Sequence, residues 1–326
     1  MSADVVDVPG RTTLTYVRAR LAAIGTLYLL RQISYVKSLS NGNGRPRRRY
    51  KGALSVFDLH VHTHYSADCT VPMAASCAAA VAAGVSVIAF TDHVEHEPSD
   101  LSFGHFRYDA YLRELEEVRT AYEGRLTILA GAEVDFNTGI ADAVELFLST
   151  HEFDFVIGSV HYAAGGEIIF PDYFRHRSLD DVYLPYFEQL HAAAETGWFD
   201  SLGHLDLPKR YAPQDAELYD PSKYRSSLDA VFRALIDRGV SFEINTSGLR
   251  QPPRTSMPGP QIVRWYVDAG GELITLGSDS HVPDTIGAGM DVTLDMLMLC
   301  GIRDVSTFRR RVRQRVPLDD LRNRSV

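Results

Sequence analysis

Seven short apolar runs recur between Leu54 and His281: LSVFDLHV, VSVIAFTDH, LTILAGAEVDF, FDFVIGSVHY, FDSLGHLD, VSFEINTS and ELITLGSDSH. Their length and their Val, Ile and Phe content predict strands. Between them lie segments with apolar positions at three- and four-residue spacing: PMAASCAAAVAAG, YDAYLRELEEVRTAYEG, IADAVELFLST, SLDDVYLPYFEQLHAAAETG, PSKYRSSLDAVFRALIDRG and GPQIVRWYVDAG. That period predicts helices with one face on a core. Strands alternating with helices of this length imply βα units and a parallel arrangement. Seven of them predict an α/β barrel related to the (β/α)8 design, with seven units in place of eight.

The first fifty residues do not follow this alternation. LAAIGTLYLL, at Leu21 to Leu30, predicts an amphipathic helix; it is about half the length a membrane span needs. SLSNGNGRPRRRYKG, at Ser38 to Gly52, is rich in Gly, Asn, Pro and Arg and reads as a solvated linker. Two parts are therefore expected: a helical extension with a basic linker over residues 1–52, and a barrel over 53–326.

Composition is ordinary for a globular protein, 45% hydrophobic and 23% charged, and the net charge of −9 argues against a broad nucleic-acid surface. Cys69, Cys77 and Cys300 are odd in number and show no paired metal spacing. They predict a reducing compartment, a cytoplasmic location and no disulfide framework. Cys69 reads as a structural residue.

What changes the picture is where the polar residues fall. The stretch DLHVHTHYSADC, Asp58 to Cys69, alternates histidines at the end of the first strand. Side chains alternate across a strand, so His60 and His62 share a face roughly 6 to 7 Å apart, a workable bite for one metal ion. A lone histidine, or one H-x-H pair, is more often an ordinary surface or core feature. Here every other run also ends in acids, imidazoles or a small polar cluster: Asp92 and His93, Glu133 and Asp135, His161, His204 and Asp206, Glu243 and Asn245, Asp279 and His281. In α/β barrels the carboxyl ends of the strands converge on one face, where active sites are built. Imidazole and carboxylate are ligands of borderline and hard divalent ions, so zinc, manganese or iron fits better than a thiolate site. Several such ions close together suit phosphate-ester hydrolysis.

The motifs DLHVHTHYS, FTDH, GAEVDF, GSVHY, GHLD and GSDSH, in this order, resemble those of the PHP family, named for its polymerase-associated and histidinol phosphatase members. The resemblance runs from about Val56 into the C-terminal region. It implies a distorted, TIM-like (β/α)7 barrel with two or three divalent metal ions. Carried onto this chain, it implies that His60, His62, Glu133 and Asp279 hold one ion. Glu133 would bridge to a second ion, held also by His161 and His204. His93, His281 and Asp68 would hold a third. Many relatives have His at the position of Asp68, and that carboxylate either ligates or caps the following helix.

GHLDLPKRY and FEINTSGLR resemble segments of the histidinol phosphatase branch. They place Arg210 and Arg250 just beyond strand ends, where bidentate bonds to phosphate oxygens can form, with Lys209 behind them. The expected reaction is hydrolysis of histidinol phosphate, a small phosphorylated substrate of histidine biosynthesis, by a metal-bridging hydroxide. Another small phosphomonoester, a phosphodiester and a noncatalytic binding role are the alternatives. His64 is read as a proton donor, an orienting group or an idle side chain. Glu95, Glu97, Asp135 and Asp172 are expected to border the pocket, while His96, His105, His151, His176 and His191 read as ordinary loop or surface residues.

Overall fold

The computed structural model describes residues 56–213 and 219–323. The expected N-terminal helix, the basic linker and the boundary near Ala53 lie outside these residues.

Seven parallel strands follow the predicted runs: β1 (Val56–Val61), β2 (Val85–Phe90), β3 (Thr127–Asp135), β4 (Phe155–Ser159), β5 (Ser201–Leu202), β6 (Ser241–Asn245) and β7 (Ile274–Gly277). They lie in one sheet in sequence order, from β1 to β7. The two edges meet rather than staying open. Val61 forms a parallel bridge to Ser280. The Ser278 amide donates to Asp58 Oδ1 at 2.8 Å and the Gly287 amide to Asp58 Oδ2 at 2.7 Å. The result is a nearly closed barrel, as expected, and β5 is reduced to two residues. Gly277 is required at the seam, because a Cβ there would lie 2.4 Å from His60 Cβ and 2.1 Å from Glu243 Oε1.

Among the described residues, seven helices of nine or more residues surround the strands: α1 (Met73–Ala82), α2 (Tyr108–Ala121), α3 (Ala141–Thr150), α4 (Leu179–Thr196), α5 (Arg225–Arg238), α6 (Pro260–Asp268) and α7 (Met290–Cys300). Their sequences explain their limits. On α2, Tyr111, Leu115 and Val118 are buried on one stripe. A reciprocal box between Ser178 and Asp181 caps the start of α4, and Gly197, at φ 65°, ends it. Tyr111 also repairs the sheet where β2 leaves β3: its hydroxyl donates to the Phe90 carbonyl and accepts from the Gly131 amide, both at 2.8 Å. Beyond that gap, pairing resumes between His93 and Glu133.

Downstream of the predicted elements, an antiparallel hairpin of β8 (Asp304–Arg309) and β9 (Val312–Pro317) covers the amino ends of β4 and β5. The Arg310 and Arg311 amides donate to Asp154 just before β4, the Arg311 guanidinium pairs with Asp200 just before β5, and Phe308 packs 5.1 Å from Phe155. Phe308 is almost fully buried. Truncating it to Ala is expected to cost about 3–5 kcal/mol of stability. Urea unfolding followed by circular dichroism checks this, and a loss under about 1 kcal/mol would show that the hairpin does not seal the barrel base.

Candidate metal centre

The strand ends bring three groups of donor atoms together. In the first, His60 Nε2 and His62 Nε2 lie 3.1 and 3.5 Å from Glu133 Oε2, and 4.0 and 3.4 Å from Asp279 Oδ1. Four ligands bound at about 2.1 Å in a tetrahedron stand about 3.4 Å apart, so these separations fit one ion. In the second, the other Glu133 oxygen is 3.6 Å from His161 Nε2 and 3.0 Å from His204 Nε2. In the third, Asp68 Oδ2 is 3.0 Å from His281 Nε2 and 3.7 Å from His93 Nε2. The His62 ring stacks on His281 at 4.0 Å, which sets the first and third groups side by side. Asp68 does not cap the next helix: α1 starts after Pro72 with no side-chain cap.

Several of these atoms have no other employment. His60 Nε2, His62 Nε2 and Glu133 Oε2 are buried and make no hydrogen bond. Buried polar atoms in folded proteins are nearly always satisfied, so lone pairs aimed at shared points fit a cation.

Outer residues fix which nitrogen each imidazole presents. Glu243 Oε1 lies 2.6 Å from His60 Nδ1, so Nδ1 carries the hydrogen and Nε2 stays bare. The second Glu243 oxygen accepts from the His204 amide and from Asn245 Nδ2, each at 3.1 Å. Ser66 gives its one hydrogen to Asp92 Oδ1 at 2.8 Å, which leaves its oxygen to accept from His62 Nδ1 at 3.0 Å. Asp92 is anchored in turn by the amide and hydroxyl of Thr63, at 2.6 and 2.7 Å. The acids at the ends of β2 and β6 thus hold candidate ligands rather than offer themselves. An acid within an apolar run was their signal in the sequence.

Charge follows from this layout. Burial alone would raise the Glu133 carboxyl, but positive charge on the His60 and His93 rings, a charge that a bound ion would supply in their place, outweighs it and holds the group well below the usual carboxylate range. For Asp279, burial is likewise outweighed, first by Arg210. Burial, helped by His281 and His93, pushes His62 down to about 3, which keeps that imidazole neutral. Two of the candidate ligand positions also sit at positive φ without being glycine, His204 at 21° and Asp279 at 52°. Backbone of this kind persists where the surroundings over-determine it, as at functional sites.

The expected phosphate contacts separate in the structure. Arg210 Nη1 is 2.6 Å from Asp279 Oδ2, and Arg250 Nη2 donates to the Ser278 carbonyl at 2.6 Å. Arg210 Nε and Arg250 Nη1 are buried with no acceptor. Lys209 is spent within the fold, held by Asp206 at 2.6 Å and the Ser256 carbonyl at 3.0 Å. His64 Nε2 pairs with Glu114 at 3.1 Å and joins none of the three groups. Of the acids expected at the rim, Glu95 and Asp135 flank His161, whereas Glu97 binds Ser99 and Asp172 is exposed and paired with Arg175.

This arrangement coincides with a family model, the PHP domain, matched over residues 58–247, more than half of the chain. The chain belongs to the PHP domain family. Within it, the chain is 32% identical over 265 residues to a probable histidinol-phosphatase of Deinococcus radiodurans, covering 79% of this chain and 98% of that protein. It is 25% identical to the histidinol-phosphatase of Lactococcus lactis, over 77% of this chain and 93% of the relative. The relatives set this PHP protein in the histidinol-phosphatase branch. A solved Lactococcus lactis histidinol phosphate phosphatase, complexed with zinc, L-histidinol and phosphate, superimposes with a TM-score of 0.73 at 24% identity, over 79% of this chain and 98% of that one, and shares the fold. No helix among the described residues is long and apolar enough to cross a membrane.

Elemental analysis of the purified protein is expected to find two to three equivalents of zinc, manganese or iron. Glu133→Gln is expected to lose at least one, and Glu243→Gln to weaken binding by about 10- to 100-fold in a chelator competition. A protein that folds normally yet binds less than one equivalent would rule out this centre.

Proposed function

We propose that this PHP protein is a metal-dependent histidinol-phosphate phosphatase, converting L-histidinol phosphate and water to L-histidinol and phosphate. The observation that carries the reading is the pair of partly buried guanidinium groups, each with an N–H to spare, set against Asp279 at the edge of the imidazole and carboxylate cluster. The near full-length likeness to histidinol-phosphatases supports the choice of alcohol.

When bound, two or three divalent ions would polarise the phosphoryl oxygens and lower the pKa of a water to about 7. The chain supplies the rest. Glu133 faces the first two donor groups with different oxygens and so sets their spacing. Glu243 and the Ser66–Asp92 pair hold His60 and His62 with Nε2 bare. The spare N–H groups of Arg210 and Arg250 bind the phosphate oxygens and hold the ester against the metal ligands. Because Asp279 already fixes Arg210 by an ion pair, little side-chain entropy is lost when phosphate arrives.

Phosphate release tests the reading, from histidinol phosphate beside sugar phosphates, nucleotides and a phosphodiester, with manganese or zinc supplied. A strong preference for histidinol phosphate is expected, abolished in His161→Ala. Arg210→Ala removes a charge-assisted contact of about 1.5–3 kcal/mol and should lower kcat/KM by about 10- to 100-fold. Efficient turnover of a different monoester, with little of histidinol phosphate, would move the enzyme to another substrate.

A further inference from the structure

We infer that Glu95, Asp100, Asp135 and Glu167 form an acidic wall that receives the cationic part of the leaving alcohol and so selects substrates carrying an ammonium or imidazolium group. This deepens the phosphatase reading and rests on it.

Glu95 Oε1 lies 3.3 Å from His161 Nδ1, and Asp135 Oδ1 accepts from the His161 amide at 2.8 Å. Their remaining oxygens, Glu95 Oε2 and Asp135 Oδ2, have no hydrogen-bond partner, although the residues are only 8% and 0% exposed. Further out, the Tyr162 hydroxyl lies 2.7 Å from Asp100 Oδ2 and 3.0 Å from Glu167 Oε2. A phenol has one hydrogen, so it can satisfy only one of those carboxylates at a time.

Among the described residues, the only side chains in ion-pair contact with these four acids are His93 and His161, both needed by the metal groups. No arginine or lysine among the described residues is paired with any of them. A run of acidic groups in which two buried oxygens lack a partner suits a cationic ligand, which would bring the donors they lack.

The position suits the leaving group. The arginines follow β5 and β6, whereas the acids arise after β2, at the end of β3 and after β4, so the two sets come from different strands of the barrel. A substrate with a dianionic phosphate at one end and a cationic amino alcohol at the other would lie across the centre in one sense.

The test compares the wild-type enzyme with Asp100→Asn, Glu167→Gln and the double variant, none of which alters a metal ligand. Substrates are histidinol phosphate, phosphoethanolamine, glycerol phosphate and p-nitrophenyl phosphate, with metal content measured for each protein. The wild-type enzyme is expected to favour the two cationic esters over the two without a cation. In the double variant that preference should fall at least about tenfold, through KM. An unchanged preference, an equal loss on all four esters, or a drop in bound metal would each overturn the inference. Efficient turnover of histidinol phosphate with an unaltered preference in the double variant keeps the phosphatase reading and removes the wall. A preference for phosphoethanolamine that collapses in the variant, with histidinol phosphate ignored by the wild type, keeps the wall and removes that choice of alcohol.

Discussion

One buried carboxylate organises the molecule. Glu133, 1% exposed, has ring nitrogens of five histidines within 3.0 to 3.6 Å: His60, His62, His93, His161 and His204. A charge in an interior is tolerated only where the surrounding groups compensate it. Here the compensation comes from β1, from the segments following β1 and β2, and from the ends of β4 and β5, so these strands must finish level around β3. That requirement explains features that otherwise look incidental, such as the short ladder between His93 and Glu133, the Tyr111 hydroxyl bridging the gap before it, and a β5 of only two residues.

The same demand reaches the seam. Bringing His60 beside Asp279 means that β1 meets β7, and Gly277 is the residue that lets the two backbones approach. Asp58 then spans the join by accepting two amides from the far side. At the opposite end the barrel needs no chemistry, and it is closed by the hairpin with apolar contact and arginines bound to Asp154 and Asp200. Stability and function are thus divided between the two ends of one barrel.

Much of this was legible in the sequence because two signals coincided: apolar runs of strand length, and ligand-type residues at their carboxyl ends. All seven strands and the six predicted helices follow, since each run has its own period and punctuation. The hairpin was not read, because VSTFRRRVRQRV looks like a solvated basic stretch, whereas its arginines reach carbonyls and carboxylates at the barrel base. His64 continues the spacing of His60 and His62 in the sequence but not in space. The strand ends at Val61, and Thr63 turns the chain by binding Asp92, so the alternation of faces stops there. Lys209 follows Asp206 at helical spacing, and that near neighbour captures it. Local geometry overruled composition in both cases.

The distribution of charge around Glu133 is uneven, and this asymmetry is the last consequence of the fold. Short helical turns after β5 and β6 carry the arginines, while the β2 to β4 side carries acids with no arginine or lysine paired to them among the described residues. A sheet whose strands are in sequence order centres these two sets about a third of a turn apart around the barrel. The field across the centre therefore runs from positive to negative over a few strand spacings, inside walls of low polarizability where such fields act strongly. A small ester with opposite charges at its two ends would be oriented by this field before any single contact forms, with its phosphate delivered to the donor groups that Glu133 holds together.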